Sequence, residues 1–115
     1  MRDIFGEVEY KSKKYKYIFN INVMEQIQDK YGSVDKWGNL TDGTNGEPNA
    51  AALKFGFRAM LNEAIEIANE ENDTTEPLLS LPQVGRILTN IGLSNAANQL
   101  NKTIIDSTQS TQKNE

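Results

Sequence analysis

Six acidic side chains, Glu63, Glu66, Glu70, Glu71, Asp73 and Glu76, make the longest single-signed stretch of the chain, with no Lys or Arg between Arg58 and Arg86. Glu63, Glu66 and Glu70 recur at helical spacing and so share one helix face. A divalent cation would need several oxygens converging from a loop, and the alternating Asp pattern of a calcium loop is absent. The spacing fits a solvated face, or an acidic patch shown to a partner, with Glu66 and Glu70 as its candidate contacts. A basic group balances it near the other end, where Lys11, Lys13, Lys14 and Lys16 interleave with Tyr10, Tyr15 and Tyr17. Single-strand nucleic-acid binders use that combination to neutralise phosphates and stack bases. Strand alternation turns these tyrosines inward, however, so the lysines read as charges that keep an exposed edge from pairing with copies of itself. Lys14 and Lys16 are the candidate partner contacts there. Trp37, the only tryptophan, is either a lid on the core or an anchor for a partner, and it joins the candidate list on the second ground.

What is missing narrows the chemistry further. The chain has no Cys and no His, which removes disulfides, thiolate nucleophiles, thiolate metal ligands and the usual general base. Gly38, Gly43 and Gly46 match no phosphate-binding glycine pattern, and no strand precedes them. With 12 Lys plus Arg against 16 Asp plus Glu, a net charge of −4 offers no general attraction to nucleic acid or anionic lipid. These features predict a non-enzymatic protein without cofactor or metal, binding neither nucleic acid nor membrane. No apolar run reaches membrane-spanning length, and the start Met1-Arg2-Asp3-Ile4-Phe5-Gly6 lacks the apolar stretch of a signal peptide, so a cytoplasmic location is expected.

At 115 residues the chain can close one hydrophobic core. Residues 4–21 alternate as a β-hairpin. A turn centred on Ser12-Lys13 would oppose Tyr10 to Tyr15, Val8 to Tyr17, Gly6 to Phe19 and Ile4 to Ile21, placing every apolar residue on one face. Ser-Lys suits a two-residue primed turn poorly, which favours a longer loop from Lys11 to Lys14 with the same pairing. Asn22 then reads as the N-cap of a short helix carrying Val23, Met24, Ile27 and Tyr31 and closed by Gly32. Ser33 caps a further turn with Val34 and Trp37, and a mobile loop is expected near residues 38–47. The strongest helix starts at Pro48 and aligns Leu53, Phe57, Met60, Leu61, Ala64 and Ala68. It gives way to a polar linker from Glu70 to Pro77. Ser80 and Gln83 form a capping box for a helix bearing Val84, Ile87, Leu88 and Ile91, which Gly92 ends. Ser94 caps the last helix, with Ala97, Leu100 and Ile104. The expected fold is α+β and mainly α: an N-terminal antiparallel hairpin on a bundle of about four helices, one domain over 1–106, then a disordered tail over 107–115.

Val84 to Leu100 also runs helix, turn, helix, so a small DNA-binding regulator using residues 80–104 is an alternative. Against it, Leu88 stands where a small residue is wanted, and the second helix offers Asn95, Asn98, Asn101 and one lysine, Lys102.

The order of these features resembles the tail assembly chaperones of siphophages and related prophages of Gram-positive bacteria. The resemblance rests on residues 17–27, Tyr-Ile-Phe-Asn-Ile-Asn-Val-Met-Glu-Gln-Ile, followed by Tyr31-Gly32-Ser33. It continues through Phe57-Arg58-Ala59-Met60-Leu61-Asn62-Glu63-Ala64 and Val84-Gly85-Arg86-Ile87-Leu88. It implies a protein that coats the tape measure protein during tail assembly, helps recruit tail tube protein and leaves before completion. The resemblance also implies a longer frameshifted product joined after Ile105, and weak, repeated contacts of this kind suit a self-associating array. A structural tail component retained in the virion is the other reading of the same features.

Overall fold

The computed structural model describes residues 4–43 and 46–112. Strands β1 (Phe5–Tyr10) and β2 (Lys13–Ile18) lead into helices α1 (Ile21–Tyr31), α2 (Val34–Thr41), α3 (Ala50–Asn72), α4 (Leu81–Ile91) and α5 (Leu93–Gln112). The fold is α+β and mainly α, with five helices where about four were expected. The additional one is α2, which extends the single turn expected after Ser33 through Gly38 to Thr41.

The hairpin register differs from expectation by two residues. Val8 opposes Tyr15, Gly6 opposes Tyr17 and Tyr10 opposes Lys13. Lys11 and Ser12 form the turn alone, both with positive φ (51° and 67°), as a type I′ turn requires. Left-handed backbone at two residues with side chains is unfavourable by about 1 kcal/mol each, but its twist matches the strands, which a four-residue loop would not guarantee. A shift of two preserves parity, so Gly6, Val8, Tyr15 and Tyr17 still share the inward face. It also ends β2 at Ile18 and releases Phe19 to Ile21 from the sheet. Ile21, expected opposite Ile4, instead opens α1 and is exposed.

That release lets Asn20 cap α1, where Asn22 was expected: the Asn20 side-chain oxygen accepts from Val23 N at 3.2 Å. The amides of both asparagines donate to one carboxylate oxygen of Glu63, at 2.7 and 3.0 Å. A negative charge is thereby held at the α1 N-terminus, where the helix dipole favours it, and α1 is tied to α3. Gly32 (φ 93°) closes α1 and Ser33 caps α2, as the sequence indicates.

Helix α3 packs against β2 and every other helix. Its N-cap is Asn49, so Pro48 lies just before the helix and not within it. Leu53, Phe57, Met60, Leu61 and Ala64 are buried along it, whereas Ala68, expected on the same stripe, is exposed. Trp37 of α2 sets the nitrogen-bearing edge of its indole against α3 at Gly56, where any Cβ would overlap the ring. Its Nε1 donates to Ala52 O at 2.8 Å. Across the core, Gly6 leaves room for the Tyr17 ring, which meets Phe57 edge-on at 5.4 Å between centroids and hydrogen-bonds with Thr103 of α5.

The Ser80–Gln83 capping box of α4 is present. Gly92 (φ 96°) then serves two helices: its N–H donates to Leu88 O at 2.8 Å, and its carbonyl accepts from Ala96 N at 2.9 Å. Ser94, expected as a cap, therefore sits inside the first turn of α5. α5 continues past the expected boundary at 106 to Gln112, and Ser107 is fully buried. The hydroxyls of Ser107 and Thr108 both donate to Ile104 O at 3.0 Å. This back-bonding satisfies polar side chains inside a helix and lets a Ser/Thr-rich segment stay helical. Residues 113–115 of the expected tail, and 44–45 of the expected loop, lie outside the described residues.

Two outcomes follow from this packing. Gly56→Ala should lower stability by about 2 kcal/mol in urea denaturation, overpacking outweighing the better helix propensity of Ala. Gly38→Ala, on α2 with open space around its Cβ position, should raise it by about 0.5–1 kcal/mol. Burial raises the Tyr17 phenol pKa above its ordinary 10.0, against the lowering effect of the Thr103 hydrogen bond. The folded chain therefore keeps this proton after the unfolded chain has lost it. The corresponding stability is intact below pH 10 and is lost as pH rises through the folded value. Denaturation midpoints measured across that range should fall less steeply for Tyr17→Phe than for the parent.

Candidate functional site

A groove of about 630 Å³ runs between β2 and the C-terminal half of α3. Lys13, Lys14 and Lys16 stand on its strand side, and Ile65 and Ala68 of α3 with Leu78 of the α3–α4 connection give it an apolar floor. Leu78 is 47% exposed, a large apolar side chain left uncovered. The lysines are exposed along an edge strand, and the Lys13 and Lys16 ammonium groups lie 5.2 and 5.7 Å from the centres of the Tyr15 and Phe5 rings. The charged groups themselves thus sit over aromatic faces while the residues stay exposed to water. On β1, Glu9 directly opposes Lys14 and Glu7 opposes Lys16.

The far wall is the connection from Thr74 to Leu79, expected as an unpacked polar linker. It is instead a strap fastened along α3 by two asparagines. Asp73 turns the chain back with a left-handed backbone (φ 54°), and Thr74 N donates to Asn69 O at 3.0 Å. The Asn69 side chain accepts from Glu76 N and donates to Glu76 O, each at 3.0 Å. Asn62 holds Leu79 in the same way, accepting from its N at 2.8 Å and donating to its O at 3.1 Å. A carboxamide carries a donor and an acceptor side by side, as a peptide group does. Asn62 and Asn69 stand two helical turns apart on one side of α3, so together they hold the strap parallel to the helix axis.

The structure brings together some of the residues singled out from sequence and separates others. Lys14 and Lys16 meet in the groove. Glu66 and Glu70 are exposed on α3 but lie outside the groove lining. Trp37 is only 1% exposed with its N–H engaged, so its ring is a lid on the core and is not presented to a partner. Glu63 is occupied by Asn20 and Asn22, which removes it from the acidic stripe. Among the described residues no three His, Cys, Asp or Glu side chains are placed to hold a metal ion. Ile65, Leu78, Asn62 and Asn69 were missed as site residues. The asparagine interval of seven inside an otherwise well-formed helix was the available signal.

Among the described residues no helix is long and apolar enough to cross a membrane. Comparisons with protein-family models, curated proteins and solved structures find no match for this chain.

The strap gives a direct test. Asn62→Asp keeps the acceptor but loses the donor and sets a charge against Leu79 O, at an expected loss of about 1–3 kcal/mol. Hydrogen exchange should accelerate at Glu76 and Leu79 first, ahead of the amides of α3.

Proposed function

We propose that this chain is a non-enzymatic phage tail assembly chaperone. In this reading it holds the tape measure protein and helps recruit tail tube protein in the cytoplasm of the host bacterium. The groove between β2 and α3 is the observation that supports it best: a preformed, open depression with an apolar floor, a lysine side and no metal-ligating cluster among the described residues. Such a surface suits modest contacts with another polypeptide. A long partner coated by many copies gains its total affinity from repetition, and each copy can still leave quickly. The stretch that carries the family resemblance, residues 17–27, spans the end of β2 and most of α1, the junction that also forms the Asn20–Glu63 tie.

The DNA-binding alternative has weaker support. Helices α4 and α5 are joined by Gly92 alone, where helix-turn-helix motifs use three or four residues. Lys102 is paired with Asp106 at 2.7 Å, which leaves Arg86 as the remaining cation from 80 to 112.

Co-expression with the cognate tape measure protein provides the test. A fragment of it should remain in solution and share a size-exclusion peak with this protein, and Lys14→Glu/Lys16→Glu should weaken the association. A fragment that is soluble alone and elutes separately would remove the chaperone reading. Affinity for duplex DNA at physiological salt, falling steeply as salt rises, would favour the regulator instead.

A further inference from the structure

We infer that the open edge of β2 takes a third strand: an extended partner segment in which acidic and apolar residues alternate. The inference rests on reading the groove as a polypeptide-binding site, and it specifies the conformation and chemistry of what binds. It starts from the register. In a hairpin closed by a two-residue turn, the residues flanking the turn exchange both ladder hydrogen bonds. Tyr10 with Lys13, Val8 with Tyr15 and Gly6 with Tyr17 are therefore the bonded pairs. The intervening Lys14 and Lys16 turn their N–H and C=O groups away from β1, toward the groove that both residues line. Among the described residues no backbone hydrogen bond from outside the hairpin reaches them. Consecutive residues of β2, from Lys13 to Lys16, all line the groove although alternate side chains point to opposite faces. The groove therefore runs along the strand's edge, not merely across one face.

Side-chain chemistry selects the occupant. A strand added beside β2 places one set of alternate residues next to Lys14 and Lys16 and the other set next to Tyr15, over Ile65, Ala68 and Leu78. The first set should be acidic and the second apolar. β1 already has this pattern, since Glu7 and Glu9 oppose Lys16 and Lys14 while Val8 opposes Tyr15. Both neighbours of a strand meet the same two faces, so the pattern that suits one edge suits the other. A second β2 is disfavoured, because antiparallel pairing at this edge would set lysine against lysine. The strap narrows the choice again. Asn62 and Asn69 saturate the backbone of Leu79 and Glu76, so the far wall offers apolar contact at Leu78 while β2 supplies the hydrogen bonds. Strand addition of this kind draws affinity from the main chain and specificity from alternate side chains.

The test is a titration of the isotope-labelled full chain with a strand-length peptide alternating Glu with Val and Tyr, read by amide shifts and hydrogen exchange. Protection should rise at Lys14 and Lys16 and change little at Lys13 and Tyr15, whose amides are already bonded to β1. The same peptide N-methylated on alternate residues, along the edge that faces β2, should not bind. Lys14→Glu/Lys16→Glu should weaken the acidic peptide by about tenfold, from two cross-strand pairs changed in sign, and should accept a Lys/Val peptide in its place. Three results would overturn the inference. The first is binding without new protection at Lys14 and Lys16, and the second is preference for an amphipathic helical peptide in the same groove. The third is protection of both residues in the free protein with dimer-sized sedimentation, which would give the edge to a second copy. If the alternating peptide binds while the tape measure fragment does not, the phage assignment fails and strand addition stands; the opposite pair of results leaves the chaperone reading without this mode of contact.

Discussion

The side chain of Trp37 lies against α3 at the one point where α3 has no side chain. Gly56 opens a notch whose floor is helix backbone, and the indole fills it while its N–H reaches the carbonyl of Ala52. In the regular helical ladder that carbonyl also receives the N–H of Gly56. The indole is thus held by a donor and by its shape at the same place. Burying a tryptophan is worthwhile only if its N–H finds a partner, and here the partner lies on the same surface that the ring covers. This contact fixes α2 on α3. Leu53 and Phe57, next to Ala52 and Gly56 in the helix, are buried, and the hairpin's Tyr17 closes on Phe57.

A long, well-anchored α3 is what allows a groove beside it to persist. Grooves on small proteins tend to collapse, because their walls gain by closing over apolar surface. Here the two walls are held apart by separate means. β2 is fixed through Tyr17, packed on Phe57 and bonded to Thr103. The strap is fixed by carboxamides that grip its backbone. Leu78 and the lysines take part in neither attachment, so they remain available without weakening the core.

Elements whose signals are local were legible in the sequence. The Ser80–Gln83 box, Gly32 and Gly92 each announce a helix end through their own chemistry, and the structure uses them there. Features decided by competition between neighbours were not legible. Asn20 and Asn22 are equally good caps in isolation; the choice falls to Asn20 only because a two-residue turn ends β2 early, and Lys11-Ser12 carries none of the Asn or Gly that usually marks such a turn. α5 runs past residue 106 for a related reason. Ser and Thr indicate caps and loops because they compete for backbone bonds, yet at Ser107 and Thr108 they bond back to the preceding turn and the helix continues. Lys14 and Lys16 stand out in the sequence, but the groove they line depends on Asn62 and Asn69, whose partners lie 17 and 7 residues downstream. Trp37 was a two-way choice that only the glycine 19 positions later could settle, and one glycine within a helix looks like a weakness until its neighbour is known.

The lysines of β2 are charges that keep an edge from aggregating, and that defence and a binding role are one physical statement. Charge on an edge strand does not abolish its hydrogen-bonding capacity; it changes which strands can use it. Like charge is rejected at short range and opposite charge is tolerated or favoured. The hairpin shows the favourable case internally, with Glu7 and Glu9 facing Lys16 and Lys14. An edge guarded in this way disfavours its own copies and remains open to an acidic strand, a combination that the proposed role, many copies on one partner, would require. If the copies could pair through β2 they would assemble on each other in place of that partner. Selection against self-pairing and selection for an acidic guest are then met by the same two side chains.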